Sequence, residues 1–138
     1  MLKRHETIRK RLFQKVKRAV VKIGSAVLTN EEGGLDLETF DDIARSIRCA
    51  KDKGIECVIV TSGAVAAGTA VLGLRERPRT IPQKQAAAAC GQGLLMQTYE
   101  SFFGKYNLKV AQILLTHEDL KDRKRYLNAK NTLFTLFK

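Results

Sequence analysis

The sequence has no apolar run approaching the roughly 20 residues that a helix needs to cross a bilayer, and its N-terminus has no apolar segment of a secretory signal. A soluble, cytoplasmic protein with no membrane partner is therefore expected. Cysteine is scarce: Cys49, Cys57 and Cys90 are odd in number, and no two stand at C-x-x-C spacing. Buried thiols in a reducing compartment are expected rather than a disulfide framework. Histidine is scarcer still, with only His5 and His117, and no third ligand stands at metal spacing. No Ser-His-Asp arrangement and no internal repeat is visible. What remains is ordinary for a globular chain: 138 residues, 44% hydrophobic and 28% charged, enough for one domain with a core.

Acidic residues are also few, 14 against 25 Lys and Arg, which gives a formal charge of +11. Residues 1–18 account for +7 of it. Such a leader suits an arm that binds phosphate backbones non-specifically, and an organellar presequence would be basic too, although this leader lacks Ser. Ile8, Leu12, Val16 and then Ala19 or Val20 recur at helical spacing, which suits an amphipathic helix docked on the body. The reading adopted is a basic helical extension over 1–18 and a body over 19–138, with no specific nucleic-acid partner.

Along the body, Ala19–Ile23 is a short β-branched run that ends in Gly24-Ser25 and continues as Ala26–Thr29, followed by a polar turn over 30–34. From Asp36 to about Lys53, apolar residues from Leu37 to Ala50 repeat at helical spacing, and Gly54 is a suitable stop. The run Ile55–Thr61 is nearly all apolar after Glu56, as in a parallel strand covered on both faces. A small-residue helix from Ala64 to about Gly73, a long helix from Gln83 to about Phe103, a third strand over 108–115, a turn capped by Thr116 and a last helix capped by Asp122 complete the order. This alternation predicts an α/β fold, a three-layer α/β/α sandwich around a mainly parallel sheet. The Ala86–Gly93 stretch is expected to be a flat helix face packed closely on the sheet.

Ligands of open α/β sheets collect at the carboxyl ends of strands. Two such ends carry chemistry here. In Val21-Lys22-Ile23-Gly24-Ser25, a lysine within an apolar strand adjoins a glycine whose missing Cβ admits a ligand. The amides of Gly24, Ser25 and Ala26 with the Lys22 charge would form an anion-holding concavity; the same position suits, equally, an edge-strand lysine that blocks aggregation. In Val60-Thr61-Ser62-Gly63-Ala64, a strand runs into a helix N-terminus, where anions bind readily; the alternative reading is Thr61 or Ser62 as an ordinary N-cap. Gly63–Gly68 has Walker-A glycine spacing, but Thr69 and Ala70 stand where Lys and Ser or Thr are required. Gly91-Gln92-Gly93 follows no strand and lacks a third glycine, so it is not a dinucleotide fingerprint. Glu118, Asp119 and Asp122 read as solvated helix-cap residues.

Those two strand ends carry a resemblance. Val20–Ser25 with Val27-Leu28-Thr29, then Ile59–Gly68, Lys84–Ala88 with Gly91-Gln92, Gln112–Thr116, and Asp122-Arg123 with Tyr126–Ala129 resemble glutamate 5-kinases of the amino-acid kinase family, in the same order over about residues 19–138. The resemblance implies transfer of the γ-phosphoryl group of ATP, with Mg²⁺, to the γ-carboxylate of L-glutamate, the first step of proline synthesis. It implies proline as a feedback inhibitor and a homo-oligomeric assembly. It also implies roles: Lys22 neutralises the moving phosphoryl, Gly24 and Ser25 hold it, and Ser62, Gly63 and Ala64 bind glutamate; no residue is implied as a metal ligand. Ala26 stands where many members carry a hydroxyl residue. By the same resemblance the chain is expected to stop before the nucleotide-binding half and to be inactive alone. The competing expectation is a non-catalytic binding or assembly module derived from half of such a domain.

Overall fold

The computed structural model describes residues 15–30 and 32–138, in two compact units, one ending at Leu108 and one spanning Lys109–Lys138. Of the basic extension expected over 1–18, residues 1–14 lie outside the described residues, and 15–17 are non-helical. Strand β1 (Arg18–Ile23) pairs in parallel with β2 (Glu56–Thr61), in register from Arg18↔Glu56 to Ile23↔Thr61. Parallel neighbours need a crossover of a dozen residues or more. Here it consists of one helical turn α1 (Ser25–Leu28), the polar turn, and α2 (Leu37–Asp52).

Local chemistry fixes the ends of these elements. The Asn30 side chain accepts from the Gly34 amide at 2.9 Å, which closes the polar turn. Asp36 caps α2: its Oδ1 accepts from the Glu38 and Thr39 amides, and its Oδ2 from the Thr39 hydroxyl at 2.8 Å. At the far end Gly54 takes φ +74°, and the Ile55 amide reaches back to the Ala50 carbonyl at 3.1 Å. Helix α3 (Ala64–Val71) follows β2. Helix α4 (Ile81–Gly104) opens with a capping box between Thr80 and Gln83.

The core lies between one face of the sheet and the helices. Ile23, Leu28, Phe40, Ala44, Leu95, Tyr99 and Phe103 are buried there. The Tyr99 ring meets Phe40 edge-on at 4.8 Å and Phe103 at 5.6 Å. On the opposite sheet face Val20 and Val60 are 67% and 50% exposed, so among the described residues β2 is covered on one side only. The Ala86–Gly93 stretch packs on α3, not on the sheet. A Cβ at Gly68 would lie 1.7 Å from the Ala87 carbonyl oxygen, and one at Gly91 2.1 Å from that of Ala64.

Two further expectations are corrected. Cys49 and Cys90 are exposed and only Cys57 is part-buried, because α4 turns the row Ala87, Gly91, Leu95 and Thr98 inward and leaves Cys90 off it. The segment over 108–115, expected as a third strand, forms none. A strand exists through a ladder of backbone hydrogen bonds, and none joins this segment to another among the described residues. In the second unit, Thr116 and Asp119 form a capping box on α5 (His117–Lys121), and Asp122 caps α6 (Arg123–Leu136) by accepting from the Arg125 amide at 2.9 Å. Asp119 and Asp122 are cap residues, as expected, whereas the Glu118 side chain makes no cap bond among the described residues and pairs with Lys121 at 3.7 Å. Among the described residues no helix is long and apolar enough to cross a membrane.

Candidate functional site

The parallel register sets the carboxyl ends of β1 and β2 side by side, with Ile23 opposite Thr61. The pairing continues one step further, since the Ser62 amide donates to the Ile23 carbonyl at 3.1 Å. A helix starts at each end. Gly24 stands at the N-cap of α1 and Gly63 at the N-cap of α3, and neither helix receives a side-chain cap. First-turn amides of a helix lack intrahelical partners and concentrate partial positive charge. Two uncapped termini therefore open next to each other. Thr61 and Ser62 do not cap α3, which sets aside the plain N-cap reading of this segment.

Gly63 holds φ 121° and ψ −13°, a conformation that an L side chain rarely adopts. A Cβ there would meet Leu28 Cδ1 at 3.4 Å and Leu95 Cδ1 at 3.6 Å, ordinary contact distances. Glycine is thus required by backbone angle rather than by space. Gly63 is buried, whereas Ser62 beside it is exposed.

Lys22 lies on the exposed face of β1 with Arg18 and Val20. The two basic side chains of that face differ. Arg18 reaches across to Glu56, with Nε to Oε2 at 2.8 Å and a second contact through its terminal nitrogen. Lys22 has no ion pair among the described residues. Its Nζ turns toward the strand end, 3.9 Å from where a Cβ of Gly24 would stand. The sequence-predicted residues Lys22, Gly24 and Ser25 on one side, and Ser62, Gly63 and Ala64 on the other, are thus brought to neighbouring strand ends.

Tyr99 is absent from the sequence reading and Thr61 enters it only as an alternative N-cap, yet the two underlie the second strand end. Thr61 Oγ1 lies 2.7 Å from the Tyr99 hydroxyl and donates to the Ser62 carbonyl at 3.0 Å. Burial pushes the Tyr99 phenol above its ordinary value. The signal available was the stripe Leu95, Tyr99, Phe103 at i, i+4, i+8, which marks an inward face of α4.

The clearest concavity, a hollow of about 150 Å³ between Gly33, α3 and Leu74–Arg77, shares no residue with these strand ends. Its rim mixes Glu32 and Glu76 with Arg75 and Arg77, so no one sign of charge converges on it. Among the described residues no group of three His, Cys, Asp or Glu is placed to hold a metal ion.

The chain is 59% identical over 129 residues to a glutamate 5-kinase of Citrifermentans bemidjiense, covering 94% of this chain and 35% of that protein. A glutamate 5-kinase of Geobacter sp. is likewise 59% identical over 129 residues, with the same shares. That of Thermus thermophilus is 58% identical over 120 residues, 87% of this chain and 32% of the relative. The chain spans about a third of the length of the curated relatives it matches. The sequence pattern of the amino acid kinase family matches residues 17–138, and the chain belongs to that family.

Proposed function

We propose that the chain carries the glutamate- and phosphoryl-holding strand ends of a glutamate 5-kinase, which transfers the γ-phosphoryl group of ATP to the γ-carboxylate of L-glutamate. The observation that carries this reading is the pair of uncapped helix N-termini side by side, with the Lys22 ammonium, without an ion pair among the described residues, beside the first. The similarity to glutamate 5-kinases supplies the substrate class.

In the proposed step a γ-carboxylate oxygen of glutamate bonds to the γ-phosphorus. The bond from that phosphorus to the β,γ-bridging oxygen breaks, leaving ADP and glutamyl 5-phosphate. Phosphoryl transfer depends on positioning and charge neutralisation more than on a protein nucleophile. The amides of Gly24, Ser25 and Ala26 would hold phosphoryl oxygens, and the Lys22 ammonium would offset their charge. The loop Ser62-Gly63-Ala64 would hold the glutamate. Mg²⁺ is proposed to accompany ATP, where it would offset the charge of the phosphates. The same reading makes proline a feedback inhibitor, the assembly a homo-oligomer and the compartment the cytoplasm.

The test is glutamate-dependent ADP release by the intact gene product, with hydroxylamine trapping of the acyl phosphate as the γ-hydroxamate. Lys22→Ala should lower kcat by roughly 10²–10³-fold, the cost of removing one donor aimed at developing charge, with an unchanged melting temperature. Unaltered turnover would remove Lys22 from the step, and no hydroxamate from the wild type would end the kinase reading.

A further inference from the structure

A threonine hydroxyl carries one proton. Thr61 uses it on the Ser62 carbonyl, 3.0 Å away. The 2.7 Å contact between Thr61 Oγ1 and the Tyr99 hydroxyl must then be donated by Tyr99. Two bonds therefore run in one direction, from a phenol only 4% exposed to the carbonyl that opens the Ser62-Gly63-Ala64 loop. The phenol is itself braced between the Phe40 and Phe103 rings.

The peptide that receives this relay is the one least able to orient itself. Glycine at φ 121° tolerates either orientation of the preceding peptide plane, because no Cβ opposes the flip. The bond is trans, so its C=O and N–H point in opposite directions. Anchoring the Ser62 carbonyl on Thr61 accordingly turns the Gly63 N–H away from Thr61. No described residue is paired with that N–H. A buried amide without a partner is uncommon and is normally satisfied by something. We infer that Tyr99 and Thr61 are positioning residues, a hydroxyl relay that fixes the Ser62–Gly63 peptide so that the Gly63 amide is offered to an anionic group of the substrate. The proposal rests on the reading above that this loop holds glutamate.

Triple-resonance NMR on the labelled chain tests the relay, following the Ser62 carbonyl carbon and the Gly63 amide. Thr61→Val, equal in shape but without the hydroxyl, should move both resonances, and Thr61→Ser should restore them. Tyr99→Phe should move them less, since the Thr61–Ser62 bond survives. Unmoved resonances in Thr61→Val would overturn the relay. In the intact gene product Thr61→Val should raise KM for glutamate about ten-fold, as for one lost hydrogen bond, with KM for ATP unchanged and Thr61→Ser close to wild type. Moved resonances with an unchanged glutamate KM would overturn the positioning role. A wild type that does not turn over glutamate would sink the kinase reading separately. Inorganic phosphate titrated onto the labelled chain then decides: a Gly63 amide that responds in wild type and Thr61→Ser but not in Thr61→Val supports the relay, and an equal response in all three refutes it.

Discussion

Helices α3 and α4 approach each other so closely at two points that only hydrogen fits between their backbones. At Gly68 the atom in the way of a Cβ is the Ala87 carbonyl oxygen, and at Gly91 it is the Ala64 carbonyl oxygen with the Gly68 amide nitrogen close behind. Backbone cannot swing aside as the end of a side chain can. Gly68→Ala and Gly91→Ala should therefore each cost at least the upper part of the roughly 1–3 kcal/mol typical of overpacking. Gly93 lies on the same helix with nothing within 4 Å of its would-be Cβ. Gly93→Ala should raise stability by about 0.5–1 kcal/mol through helix propensity. Urea midpoints of the three variants check the contrast. Equal effects at 91 and 93 would mean that the close approach is not what fixes the helix pair. Gly63→Ala belongs with the costly group for a second reason, its positive φ.

At the scale of the element, α2 begins on a charged cap. The Thr39 hydroxyl, with the Thr39 and Glu38 amides, holds the Asp36 carboxyl below its ordinary value. A carboxyl depressed by folding contributes stability that is fully present above its unfolded value, about 4, and is lost as pH falls through the lower folded value. Asp36→Asn keeps a capping oxygen but cannot titrate. Its melting temperature should fall less than that of the wild type between about pH 6 and pH 2, while Asp36→Ala should be lower at neutral pH. Caps of this kind were legible from sequence because they are local: Asp36, Thr116 and Asp122 each bond to an amide within three residues. The Gly54 stop is local too. What escaped the sequence is long-range. The Thr61–Tyr99 bond joins residues 38 apart, and the glycine contacts depend on which helix face meets which. The apolar run over 108–115 has strand composition, yet composition supplies no ladder. Of the candidate site, both strand ends were readable from Lys22-Ile23-Gly24-Ser25 and Thr61-Ser62-Gly63-Ala64; their adjacency depended on the parallel register.

Over the whole molecule, stability is expected to be uneven. Helix α4 buries six residues, from Ala87 to Phe103, and shares the aromatic cluster with Phe40. No residue of α5 or α6 is buried. Helices of this length without a buried face are marginal in water, because nucleation costs more than a few turns return. The ion pairs of that unit, Lys121–Glu118 at 3.7 Å and Arg125–Asp119 at 3.5 Å, lie at the surface, where water and salt screen them and leave them worth little. Local opening should therefore cost little in Lys109–Lys138 and approach the global unfolding free energy in the interior of α4. Native-state hydrogen exchange should show the α6 amides with protection factors within about ten-fold of the unfolded chain and those near Leu95–Tyr99 slowest of all. Limited trypsin should cut first after the exposed Lys109, in the segment without secondary structure. A nicked product should retain the melting transition of the first unit. If α6 instead exchanges as slowly as α4, the second unit is held by contacts that span both units, and the chain unfolds as one cooperative body.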